Sequence, residues 1–227
     1  MDARDAFRDM LRDRVGPGLR ELGFAGSGNT WRLRGDAGDW AVVNFQKSQW
    51  GSSQAVRFYI NMLFVLEPMR EFLVDYEQRR PSRIPGRFDH VWEKRLDRLP
   101  RKGLSMRQIW DFADGADAEG VAAEVVSTVE VAAMPTFRRL LDRKSFVAEL
   151  ANAENGGMLG GWLSRTSPEG TRALILSEAG PGNEVGALLQ SLEAGLRVED
   201  GVEEGTWDHR QLAIIEWIRR RLEQPEE

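Results

Sequence analysis

The 227-residue sequence has no cysteine. That excludes a disulfide framework, a zinc–thiolate centre, an iron–sulfur cluster and a Cys nucleophile. Histidine is almost as scarce: His90 and His209 are the only two. A Ser-His-Asp arrangement would have to use one of them, yet the sequence has no G-x-S-x-G elbow, and no H-E-x-x-H helix offers a zinc pair. Lysine occurs only at 47, 94, 102 and 144, the other basic residues being arginine. Long apolar runs are missing as well. "MLFVL" falls far short of the roughly 20 residues a membrane-spanning helix needs, and the opening "MDARDAFRDM" has no signal-peptide core. The chain therefore reads as cytoplasmic, with no membrane contact. Basic charge is not in excess either. The net charge of −5 and pI of about 5.3 make a poor default binder of nucleic acid, whose affinity comes mostly from neutralising phosphates.

What is present is ordinary for a globular chain: 41% hydrophobic and 30% charged residues. The length suits one large domain, or a domain with an appendage. Phe7, Met10, Leu11 and Val15 share a helical face, which predicts a first helix from about Ala3 to Val15, interrupted by "VGPG" and resumed in "PGLRELGF". Gly23 suits the left-handed position after that helix, with Phe24 closing over Leu19. "AGSGN" reads as a turn. Strands are expected at 30–34, 40–48 and 56–66, joined as an antiparallel meander, with weaker strands at 88–96 and 106–113 and a short helix at Met69–Tyr76. From Asp117 the pattern turns helical, with a break or kink at Pro135, continuation to about residue 157, and further helices near 168–178, 184–195 and 206–223. The expectation is an α+β fold: an N-terminal helix, an antiparallel meander sheet of three to five strands, helices packed on one face, and a helical C-terminal region. The corresponding organisation is an α+β domain over 1–142 and a helical extension over 143–227.

Strand side chains alternate between faces. Ala41, Val43 and Phe45, with Phe58, Ile60, Met62 and Phe64, form an apolar face for the helices. The opposite face carries Asn44, Gln46, Arg57, Tyr59 and Asn61, with Lys47 and Ser48 at the strand end. These seven residues are the candidate ligand site. Amides, a phenol and cations brought together can orient a ligand, and Asn is disfavoured in strands. The competing explanation is a wet sheet face, or polar groups bonded to one another beneath a loop.

Other motifs carry less. "DFADGADAEG" gathers Asp111, Asp114, Asp117 and Glu119, but without EF-hand spacing; Asp117 reads better as a helix cap. Gly180, Gly182 and Gly186 are spaced G-x-G-x-x-x-G rather than as a dinucleotide loop, and a helix stop followed by a helix capped by Asn183 explains them. No Walker A sequence is present. No cofactor or metal is expected.

The succession of a helix, "LGF", "GNTWRLR", "VVNFQKSQWG" and "FYINMLFVL" resembles the bacterial domain-of-unknown-function family 4304. The resemblance rests on Gly23, Phe24, Trp31, Gln46, Lys47, Ser48, Phe58 and Asn61 and covers roughly residues 5 to 142. It implies no activity. Three function classes stay open. The first is a non-enzymatic binding protein that uses the mixed sheet face for a partner protein or small ligand, one version being an immunity-type protein whose acidic surface covers a basic toxin. The second is an enzyme acting on a phosphorylated or carboxylated small substrate through Lys47, Ser48, Arg57 and Tyr59. The third is an assembly protein paired through a sheet edge.

Overall fold

The computed structural model describes residues 2–52, 54–86, 88–99, 108–113, 115–152, 161–196 and 206–223. In chain order the elements are α1 (Ala3–Met10), a π turn (Leu11–Val15), α2 (Gly16–Glu21), β1 (Ala25–Ser27), β2 (Thr30–Arg34), β3 (Trp40–Lys47), β4 (Ala55–Val65), α3 (Glu67–Tyr76), β5 (Trp92–Arg95), β6 (Trp110–Ala113) and α4 (Ala118–Thr128). A second π turn (Val129–Ala133) follows, then α5 (Met134–Leu141), α6 (Arg143–Ala151), β7 (Trp162–Leu163), α7 (Pro168–Ser177), α8 (Asn183–Gly195) and α9 (Trp207–Glu223). The parts of the expected strand and helix at 106–107 and 153–157 lie outside the described residues.

Four of these elements correct the sequence reading. "VGPG" does not interrupt the first helix, and Pro135 does not break the later one. In each case the chain passes through a π turn, in which Gly16 N–H donates to Leu11 O and Met134 N–H to Val129 O. Each proline then falls in the first turn of the following α segment, where its missing N–H costs nothing. "AGS" is not part of a turn but a short exposed strand, paired with β2 from Ala25↔Arg32 to Ser27↔Thr30. Its small residues have almost no β signature. Asn183 does not cap α8 but begins it, with Gly182 at the cap position. Asp117 and Thr206 do cap: Asp117 Oδ1 accepts from Gly120 N at 2.9 Å, and Thr206 Oγ1 accepts from His209 N at 3.2 Å. The helix stop at Gly23 also forms as expected. Its φ is +92°, and Phe24 N–H donates to Leu19 O at 2.9 Å.

The chain divides into two compact units, Met1–Phe64 with Glu93–Asp142, and Val65–Trp92 with Arg143–Glu227. The first unit is built on an antiparallel sheet. Its order runs β1-β2-β3-β4, with β6 pairing to β4 from Ala55↔Ala113 to Phe58↔Trp110 and β5 lying beside β4 further along. Ala41, Val43, Phe45, Phe58, Ile60, Met62 and Phe64 are all buried, as the alternation requires. Onto this face pack α1 and α5. Phe7 meets Phe58 at 4.8 Å and Phe112 at 6.0 Å, and Phe58 stacks on Trp110 at 5.9 Å. Helix α4 lies against α1 and the first π turn. It comes so close to α2 that a Cβ on Gly18 would meet Val126 at 2.8 Å, which explains a residue with no side chain there. The span Ala118–Leu141 is long and apolar enough, by length and composition, to cross a membrane. Its buried stripe includes Val125, Val129, Phe137 and Leu140.

The second unit is mostly helical. Helix α7 is its hub, touching α3, α6, α8 and α9, and it buries Thr171, Ala173, Leu174 and Ser177. The two-residue strand β7 runs on into Ser164, whose N–H donates to Val91 O at 2.8 Å. The helices are tied by polar contacts. Trp217 Nε1 donates to Asp75 at 2.7 Å, Tyr76 OH and His209 Nδ1 are 2.9 Å apart, and Thr166 Oγ1 donates to Gln211 Oε1 at 2.6 Å.

Candidate functional site

The seven sequence-selected residues separate into two groups. The first group lies on the sheet face opposite the helices and is already engaged. Asn44, 6% exposed, donates to Asn29 O at 3.2 Å and to Thr30 Oγ1 at 3.0 Å, fastening the β1–β2 turn to β3. Its own Oδ1 is buried without a protein partner. Asn61 Nδ2 donates to Gln46 Oε1 at 2.9 Å across the β3–β4 pair. The Tyr59 ring lies under the Arg95 guanidinium, 4.1 Å from the ring centroid, a cation–π contact. Asn44, Gln46, Tyr59 and Asn61 thus mostly bond to the protein itself.

The second group lies at the end of the hairpin. Lys47 is the last residue of β3, where the strand leaves the core, so its side chain is exposed although its phase is that of the apolar face. Lys47, Ser48 and Arg57 line a hollow of about 210 Å³ together with Ser52 and Arg4. Ser48 N–H donates to Arg57 O at 2.8 Å, which holds the two strand ends together, and Ser48 Oγ accepts from Trp50 N at 3.2 Å, which shapes the turn. Trp50 itself is 74% exposed at the tip. Arg57 Nε donates to Asp111 Oδ1 at 3.0 Å, in an exposed pair that is easily exchanged. Among the described residues neither Lys47 nor the Arg4 side chain has a charged partner. Three cations and two hydroxyls around one small hollow make an environment for an anion.

Arg4 is the residue the sequence reading missed. A signal did exist. Arg4 lies three residues before Phe7 on α1, hence on the same side of the helix. Phe7 packs on Phe58, the neighbour of Arg57. The helix therefore delivers Arg4 to the strand end that Lys47 occupies.

The other sequence motifs are accounted for locally. Asp111 pairs with Arg57, Asp117 caps α4, and Glu119 lies 3.6 Å from Arg14; Asp114 is outside the described residues. Gly180 has φ +89° and ends α7. His90 is buried just before β5, and His209 faces Tyr76 on α9. Among the described residues, no group of three or more His, Asp or Glu is placed to hold a metal ion.

Compared with known proteins, the chain matches one family model, described as domain of unknown function (DUF4304), over residues 15–139. No curated protein and no solved structure matches it. The match spans more than half of the 227 residues, and the chain belongs to the DUF4304 family.

Proposed function

We propose that this DUF4304 member is a binding protein, and that its ligand site is the cationic hollow at the end of the β3–β4 pair. The group it takes is a phosphate or carboxylate borne by a partner or small ligand. One observation carries the reading: Lys47 and Arg4 line the same hollow without charged partners among the described residues, beside an Arg57 held only by an exposed pair. The polar strip further up the sheet supports the site rather than forming it, because its amides bond to each other and to the β1–β2 turn. Such exposed cations give an affinity that falls as salt is added.

Titrating inorganic phosphate into the isotopically labelled protein tests this. The amides of Lys47, Ser48 and Ser52 should shift, and Lys47→Glu combined with Arg4→Glu should weaken binding by about 10- to 100-fold, the loss of one or two charge-assisted hydrogen bonds. Asn61→Ala should leave binding unchanged. The reverse pattern, with Asn61→Ala abolishing binding and the charge reversals neutral, would move the site onto the sheet face and sink the proposal. An enzyme for phosphorylated substrates would use the same Lys47, Ser48 and Arg57. Tyr59, the fourth residue it would need, lies under Arg95 and does not line the hollow.

A further inference from the structure

The second unit contains a larger hollow, about 700 Å³, a size suited to small organic ligands. It lies between α3 and α9. Arg70 and Val74 come from α3, Trp217, Arg220 and Arg221 from α9, and Pro81 from the loop after α3. Its chemistry is uneven. Arg70 is fully engaged: it pairs with both carboxylate oxygens of Glu67 and donates to Ser82 O at 2.6 Å. Trp217 is fixed in orientation, since its Nε1 is held by Asp75 and its ring is met edge-on by Phe72 at 6.1 Å. Arg221 lies over the Trp217 ring, 5.2 Å from the centroid, and pairs with Glu71, whose side chain is 43% exposed. Arg220 is exposed and, among the described residues, has no charged partner.

The two acids on the wall, Glu71 and Asp75, are thus both occupied by groups of the protein, while one cation is open and a second is held by a partner that water already reaches. An incoming cation would find no free carboxylate there. An incoming anion would find Arg220 directly and could share Arg221 with Glu71, with its apolar part against Val74, Pro81 and the Trp217 edge. We infer that this hollow is a second ligand site, for a small organic anion with an apolar body. Trp217, Arg220 and Arg221 lie beyond the segment matched by the family model, so α9 supplies the recognition groups and the matched segment only one wall.

The probe is 8-anilinonaphthalene-1-sulfonate, an aromatic sulfonate, with uncharged N-phenyl-1-naphthylamine as its comparison. Titration into the full chain, followed at the Trp217 indole N–H in a two-dimensional NMR spectrum, should move that cross-peak with the sulfonate and much less with the neutral probe. Arg220→Glu should weaken the sulfonate about tenfold, the loss of one charge-assisted hydrogen bond. Arg220→Lys should restore part of it. An unmoved indole cross-peak, equal binding of the neutral probe, or an Arg220→Glu variant that binds as tightly as the parent would each overturn the inference.

Discussion

The two units of this protein are held together differently. The sheet unit is fastened by rings: Phe7, Phe45, Phe58, Phe112 and Trp110 form one connected aromatic cluster with centroids 4.8 to 6.3 Å apart. The helical unit is fastened by polar pairs that run from helix to helix, among them Trp217 with Asp75, Tyr76 with His209, and Arg219 with Glu193. Apolar packing is indifferent to pH, whereas charged ties respond to it. The contrast reaches the two hollows. In the sheet unit the open cations stand beside a hairpin that is already fixed, so an anion displaces almost nothing. In the helical unit Arg220 is open but Arg221 belongs to the fastening itself, and a ligand must compete with Glu71 for it.

The sharpest way to break this comparison is to remove a ring from the first unit. Phe58 is fully buried among Phe7, Phe45 and Trp110, and Phe58→Ala should cost about 3–5 kcal/mol in urea unfolding. A cost near 1 kcal/mol would show that the aromatic cluster is not what holds the sheet unit. In the second unit, Thr166→Val preserves shape but leaves the buried Gln211 Oε1 without its donor, and should cost about 1–3 kcal/mol by the same measurement. A neutral outcome would remove the polar half of the contrast. The smallest effect is expected at Glu193. Arg219, donating across from α9, holds its carboxyl below the usual carboxylate range. The folded value is the lower one, so the stabilisation is complete above the ordinary carboxylate range and disappears as pH falls through the lowered value. Carboxyl-carbon NMR should show Glu193 titrating late on acidification, and Arg219→Gln should return it to the ordinary range.

The sequence carried the sheet well, because alternation is strict where one face is buried. Every residue of the Ala41, Val43, Phe45 and Phe58, Ile60, Met62, Phe64 sets is in the core. It also carried the caps at Gly23 and Asp117, each of which depends on chemistry within a few residues. It carried less of the site. Lys47, Ser48 and Arg57 do gather at the strand end, yet the bonds from Asn61 to Gln46 and from Asn44 to Thr30 depend on strand register, which alternation alone does not set. Nor did it reveal that residues 65–92 fold with the C-terminal helices. That association is made by pairs such as Tyr76–His209 and Glu71–Arg221, separated by 133 and 150 positions, which leave no local pattern.

The two π turns have a further consequence, which is one of phase. An α-helix advances about 100° per residue. Ala122, Val125 and Thr128 lead into the second π turn as one buried set that ends on its first residue, Val129, and a second buried set begins on its last residue, Ala133, and runs on through Met134, Phe137 and Leu140. In an unbroken α-helix the later set would lie about 100° round from the earlier one. The single extra residue held in the wide turn cancels that drift. The same correction aligns Ala3, Phe7, Met10 and Leu11 with Val15, Gly16 and Leu19. Both wide turns end two residues before a proline, Pro17 and Pro135. A proline inside an otherwise helical pattern whose apolar stripe slips by one residue is therefore, in this chain, the written mark of a helix that changes phase and carries on.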